Sequence, residues 1–274
     1  MKEQELKNAV REGYARVAKE ASSCCSSGCC SASKPKDIAK KIGYTEDEMQ
    51  TVPSGSNLGL GCGNPIAIAS LKEGETVLDL GSGAGFDCFL ASKIVGPKGK
   101  VIGVDMTAEM VARAQDNALT GGYSNVEFRL GEIESLPVED NAIDIIISNC
   151  VINLVPNKEK AFKEAFRVLK PGGRLMVSDI VLKKKLPDFV LESIEAYVGC
   201  VSGASMKDKY LDFIKSAGFE NVAVNEESDF PLDCMTEDPT GQTILKSLEG
   251  AEEEIKRVEG AISSVKVSGV KPIG

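Results

Sequence analysis

The chain of 274 residues has nine cysteines and no histidine, so any chemistry it performs must do without imidazole. Four thiols, Cys24, Cys25, Cys29 and Cys30, form two adjacent pairs in "ASSCCSSGCC" (21–30). Three others are far apart: Cys62 in "GLGCGNP", Cys150 in "SNCVINL" and Cys200 in "YVGCVSGAS". Without imidazole the chain lacks the usual neutral-pH general base and the commonest metal ligand. It also has no C-x-x-C spacing, which turns the reading away from zinc and towards a softer, thiophilic centre. Adjacent cysteines pair with each other only under strain, so each doublet is expected to exchange with a distant thiol. The opening "MKEQELKNAVREGYARVAKE" is charged and has no apolar h-region, so reduced thiols in a cytoplasmic location are expected rather than a disulfide framework.

A second group of residues is suited to a nucleotide-like ligand. "VLDLGSGAGFD" places Gly81, Gly83 and Gly85 directly after an apolar run, where a strand turns into a helix. Ligands bind at such turns because glycine permits close backbone approach and the helix N-terminus offers free N–H groups. A dinucleotide loop would need glycine at position 86, which is Phe86. Asp79 ahead of the loop disfavours a pyrophosphate and suits an amino acid's ammonium group. Asp105, at the end of the next apolar run, can accept both hydroxyls of a ribose, and Met106 can cover an adenine face.

The elements that must hold these residues read as an α/β fold. Apolar runs at 76–81, 100–105, 126–131, 143–148 and 173–180 are spaced as parallel strands. Helices are expected over 85–95, 107–119, 158–169 and 207–217, a sixth strand over 221–226 and a last strand over 264–270. Residues 1–20 form an amphipathic helix with Leu6, Val10, Tyr14 and Val17 at helical spacing, followed by a loop over 21–33. Ile244, Leu248, Ala251, Ile255, Val258 and Ile262 predict a further helix over 243–263. The chain thus divides into a covering segment (1–70), a Rossmann-like core (71–182) and an acceptor-side part that completes the sheet (183–274). A net charge of −9 disfavours nucleic acid as a partner, and no apolar run approaches the ~20 residues of a membrane span.

The acid–Gly-x-Gly-x-Gly loop with its second-strand acid resembles the class I S-adenosylmethionine-dependent methyltransferases. "GEIESLP" (131–137), "SNCVINL" and "RVLKPGGRLMVSD" extend that resemblance over about residues 74–180. It implies a mostly parallel seven-stranded sheet and a cofactor held by Asp79, Gly81, Ser82, Gly83, Asp105, Met106, Glu132, Ile133 and Asn149. Tyr14 would either close that site or simply pack. Over nearly its whole length the chain resembles the arsenite S-adenosylmethionine methyltransferases, through "SSCC", "GLGCG", residues 81–96, "SNCVINL" and the "GC" at Cys200. That resemblance implies that Cys150 and Cys200 bind trivalent arsenic, with Cys62 as third ligand and as disulfide partner of an upstream cysteine. Cys88 is expected to pack, and Cys234 has no assignment.

The implied substrates are arsenite and methylarsenite, with S-adenosylmethionine as methyl donor. The chemistry fits a histidine-free site, because thiolate-bound arsenic attacks with its own lone pair and has no proton to lose. Each methylation formally oxidises arsenic by two electrons. Thiols that close a disulfide can return them, and an external reductant such as thioredoxin or a small thiol would reopen it. Two other readings stand beside this one: a quinone- or sterol-type C- or O-methyltransferase with incidental cysteines, and a soft-metalloid-binding protein without activity.

Overall fold

All five of the expected parallel strands enter one sheet in the computed structural model, which describes residues 3–20, 35–229 and 260–274. Its strands are β1 (Thr76–Leu80), β2 (Lys100–Asp105), β3 (Val126–Leu130), β4 (Ile143–Asn149), β5 (Leu169–Leu182), β6 (Glu220–Asp229) and β7 (Ile262–Val270). They lie in the order β3-β2-β1-β4-β5-β7-β6. The first five are mutually parallel, and β7 runs antiparallel between β5 and β6. The order reverses at β1 and β4, so the crevice outside their carboxyl ends is the switch point where such sheets bind ligands.

Around the sheet are α1 (Glu3–Glu20), α2 (Pro35–Lys41), α3 (Glu46–Gln50), α4 (Ile66–Ala69), α5 (Phe86–Val95) and α6 (Ala108–Gly121). They are followed by α7 (Lys158–Val168), α8 (Asp188–Leu191), α9 (Ile194–Val198) and α10 (Lys207–Ser216). Alternation along the central strands sends side chains to both faces. Leu78, Leu80 and Ile146 join Phe162 of α7 and Tyr210 of α10 on one face, whereas Val77, Ile145 and Ile147 join Phe89 and Ala91 of α5 on the other. A third cluster lies beyond the carboxyl ends of β4 and β5. It gathers Val10 of α1 with Cys62, Cys150, Cys200, Leu182, Ala196 and Tyr197.

The N-terminal helix lies against α6 and α9. Gly13 permits the second contact, since a Cβ there would fall 2.9 Å from Val198 Cγ1. Its buried positions are Val10, Gly13, Ala15 and Ala18, with Leu6, Tyr14 and Val17 only partly covered. The small residues set the close approach, which the larger apolar stripe did not announce. The guanidinium of Arg113 donates to the Ala18 carbonyl at 2.8 Å and so satisfies an open carbonyl of the last turn.

Two expectations change. The helix over 158–169 stops at Val168, and Leu169 already pairs with Ile143, so β5 begins four residues earlier than the strand expected from 173. Ile262, read as the last apolar position of a helix, instead opens β7, where it pairs with Leu182. The rest of that helix (243–259), the loop over 21–33 and Cys24, Cys25, Cys29, Cys30 and Cys234 lie outside the described residues. Among the described residues no helix is long and apolar enough to cross a membrane.

Candidate functional site

Two of the thiols expected to act together, Cys62 and Cys150, lie side by side, and Cys200 packs into the same cluster. Cys150 follows β4 directly, and its N–H donates to the Ser178 carbonyl on β5 at 2.8 Å. Cys200, after α9, donates its thiol hydrogen to the Cys150 carbonyl at 3.0 Å. Cys62 directs its thiol towards the Ser178 carbonyl at 3.6 Å, and Ser264 on β7 donates to the Cys62 carbonyl at 2.8 Å. One ligand atom from each of Cys62, Cys150 and Asp179 lies within 4.8 Å of the other two. All three thiols are buried and free. The neighbouring Cys200 and Cys62 thiols, together with burial, push the Cys150 thiol well above its ordinary range, and burial raises that of Cys62.

Backbone geometry marks the same pair. Cys150 has φ 58° and Cys200 φ 65°, two of only five non-glycine residues with positive φ among those described. A side chain in this left-handed region costs about 1–2 kcal/mol, and the packing around both cysteines holds them there.

Beneath the thiols lies a buried polar network that sequence reasoning did not find. Asp179 is fully buried; its Oδ1 accepts from Asn153 Nδ2 at 3.0 Å and Ile180 N at 3.1 Å, and its Oδ2 from the Tyr210 hydroxyl at 3.0 Å. Burial pushes this carboxyl up to about 7. Lys158, also buried, is pulled down to about 8 by burial, opposed by the neighbouring Asp179 carboxyl. The one available signal was an acid inside the apolar run "LMVSDIV", a position that requires partners wherever it is buried.

On the other side of the crevice stands the glycine loop. Gly81, Gly83 and Gly85 all adopt left-handed φ, at 68°, 51° and 93°. The N–H groups of Gly81 and Ser82 both donate to the Val104 carbonyl, at 2.7 and 3.1 Å, which fastens the loop to β2. Asp105 accepts from Gly83 N at 2.9 Å and from Thr107 N at 2.8 Å, so the expected ribose acid also braces the loop. Burial raises its carboxyl above the ordinary range. The loop reaches the thiol site: a Cβ on Gly81 would fall 2.3 Å from Val151 Cγ2, one residue beyond Cys150.

The remaining expected cofactor residues are dispersed. Asp79 is buried in β1 and accepts from the Cys88 thiol at 3.2 Å, which accounts for Cys88 as a packed partner. Burial, with Asp87 nearby, pushes the Asp79 carboxyl well up. Glu132 pairs with Lys7 at 2.8 Å and Arg11 at 3.5 Å, and Arg11 donates to the Met106 carbonyl at 3.4 Å, so α1 covers this part of the crevice. Lys7 also pairs with the buried Glu134. Ile133 packs into the core beside Leu80 and Val104, and Tyr14 packs against the thiol cluster. The Asn149 amide is committed to the Cys62 segment, as described below.

Residues 71–218 match the model of a methyltransferase-domain family. An arsenite methyltransferase of Halobacterium salinarum is 44% identical over 256 residues, covering 89% of this chain and 66% of that protein. A human arsenite methyltransferase is 36% identical over 214 residues, covering 74% of this chain and 55% of its own. The chain therefore spans two thirds or less of the length of these relatives. The crystal structure of an arsenic(III) S-adenosylmethionine methyltransferase from Chlamydomonas reinhardtii shares the fold with a TM-score of 0.65. At 31% identity it covers 88% of this chain and 76% of its own. Fold, crevice and relatives agree, and the chain belongs to the S-adenosylmethionine methyltransferases of the arsenite type.

Proposed function

We infer that the chain transfers methyl groups from S-adenosylmethionine to trivalent arsenic held by Cys62, Cys150 and Cys200, accepting arsenite and then methylarsenite. The observation that carries this reading is the contact between Gly81 and Val151, which sets a ligand-binding glycine loop one residue from the thiol cluster. The loop suits the cofactor. At Gly83 a Cβ would meet nothing within 4 Å, so the backbone faces open space, and the buried Ser82 hydroxyl has no partner among the described residues. Gly81, Ser82, Gly83, Asp105, Met106 and Glu132 would hold it, with Asp79 beneath the loop. When bound, S-adenosylmethionine supplies a methyl group on positively charged sulfur.

The chain's own residues supply an acceptor site that needs no general base. Arsenous acid is neutral and carries three hydroxyls. Three buried thiol groups can replace them, each thiol proton leaving with a hydroxyl as water, so the exchange buries no net charge. Three sulfur ligands leave arsenic with one lone pair, and the adjacent loop holds donor and acceptor close, where orientation contributes most. Forming the arsenic–carbon bond takes arsenic from the trivalent to the pentavalent state. Two thiols that close a disulfide return two electrons, and an external thiol, thioredoxin or a small molecule, reopens it. Cys24, Cys25, Cys29 and Cys30 fit the relay to Cys62. Pro35, five positions after Cys30, packs on Gly59, with its Cα 3.1 Å from where a Cβ would sit. This cycle belongs to a reducing, cytoplasmic setting.

The test is to incubate the protein with labelled S-adenosylmethionine, arsenite and a thiol and to separate the arsenic species. Labelled methylarsenic is expected. Cofactor binding with no methylated arsenic would overturn the reading in favour of another acceptor.

A further inference from the structure

Cys62 lies in a segment without regular secondary structure, so its place in the thiol cluster has to be fixed by something else. The side chain of Asn149, the last residue of β4, does this. Cys62 N donates to Asn149 Oδ1 at 3.0 Å, and Asn149 Nδ2 donates to the Gly63 carbonyl at 2.7 Å. An N–H can only donate and a carbonyl can only accept, so the amide has one orientation that satisfies both. The flanking glycines let the segment lie flat on it. A Cβ on Gly61, at φ 110°, would fall 2.8 Å from Asn149 Nδ2, and one on Gly63 would fall 2.0 Å from Ser178 Oγ.

The amide is itself held from behind. Nδ2 also lies 3.0 Å from the Tyr44 hydroxyl and 3.3 Å from Asp87 Oδ2, and the Tyr44 hydroxyl donates to Asp87 Oδ1 at 2.6 Å. Asp87 sits in the first turn of α5, next to the glycine loop. Cys150 and Cys200 are joined through a separate contact, the Cys200 thiol on the Cys150 carbonyl, which does not pass through the Cys62 segment.

We propose that Asn149 is the positioning residue that makes Cys62 a third thiol ligand, and that it thereby sets the preference of the site for arsenite over methylarsenite. The proposal rests on the arsenic-methylating reading. Arsenite offers three exchangeable positions and methylarsenite two, its third being occupied by the methyl carbon. Displacing Cys62 therefore removes a ligand from the first substrate and leaves the Cys150–Cys200 pair for the second.

The experiment compares Asn149→Ala with the unchanged chain in three assays. The ratio of kcat/KM for arsenite to that for methylarsenite should fall by roughly tenfold or more, the size of one to two hydrogen bonds. Affinity for S-adenosylmethionine should stay within about twofold. In arsenic-free protein, iodoacetamide labelling of Cys62 relative to Cys150, read by mass spectrometry, should accelerate by about tenfold as the segment is released. An unchanged ratio, or weakened cofactor binding with Cys62 labelling unaltered, would overturn the proposal and return Asn149 to the cofactor. Should the unchanged chain methylate neither arsenic species, the functional reading fails, and the labelling result still decides whether Asn149 positions Cys62. If the alanine variant does not fold, Tyr44→Phe keeps the ring packed on Phe86 and removes only the hydroxyl behind the amide. It should shift the ratio in the same direction by a smaller factor, and no shift would count against the proposal.

Discussion

Replacing Asp179 by Asn should stabilise the protein modestly at pH 5 and more strongly at pH 8. The folded state raises this carboxyl from 3.8 to about 7, with burial the largest cause. Between those values the unfolded chain has lost the proton that the folded chain keeps. Stability contributed by the protonated group is therefore complete below 3.8 and drains away as pH rises to about 7. At ~1.4 kcal/mol per unit, a shift of about 3 units amounts to ~4 kcal/mol by pH 8, roughly a third of it already gone by pH 5. Asparagine imitates the protonated acid. Its oxygen can keep Asn153 and Ile180 as donors, and its NH2 can donate to the Tyr210 hydroxyl, which then turns to accept. The gap between variant and parent should widen by ~2–3 kcal/mol from pH 5 to pH 8, less whatever Lys158 contributes as a counter-charge. Urea titrations at the two pH values measure it directly. A constant gap, or a variant that is the weaker at pH 8, would refute the argument and show that Asp179 is ionised and paired throughout.

Asp105→Ala should weaken S-adenosylmethionine binding by about 1.5–3 kcal/mol per lost charge-assisted hydrogen bond, while arsenite binding persists. Because Asp105 also braces Gly83 and Thr107, calorimetry with each ligand separately is the appropriate readout. Cys150→Ser and Cys200→Ser should abolish methylation of both arsenite and methylarsenite, since a hydroxyl is a hard ligand for a soft centre. Cys62→Ser should damage arsenite turnover most, and equal loss on both substrates would make Cys62 structural. Changing Cys24, Cys25, Cys29 and Cys30 together to Ser should preserve a single round of methylation and reduce multiple turnover in a physiological thiol. Undiminished multiple turnover would leave that cluster without a redox role.

Local pattern carried much of this architecture. "TVLDLG" and "IDIIIS" could be read as central strands because burial on both faces leaves no polar alternation, and the glycine loop was legible because three left-handed positions leave little choice of residue. The convergence of Cys62, Cys150 and Cys200 was expected from family resemblance, and geometry supplied what sequence could not: the means of holding them. Asn149, Ser178 and Ser264 act on Cys62 from positions 87, 116 and 202 residues away. No periodicity connects residues so distant. Tyr44 and Asp87 escaped notice for the same reason. Ile262 was misread because apolar spacings of four and three extend equally well into a following strand, and only pairing with Leu182 decides between them.

The antiparallel β7 has a consequence for how the protein is made. It is threaded between β5 and β6, and its Ser264 holds the carbonyl of Cys62, so the thiol site requires residues translated some two hundred positions after its first ligand. Until β7 leaves the ribosome, β5 presents an unpaired edge and the cysteines lack their enclosing strand. A nascent chain in a cell exposed to arsenite would thus offer loose thiols to the very poison that the finished protein is inferred to process.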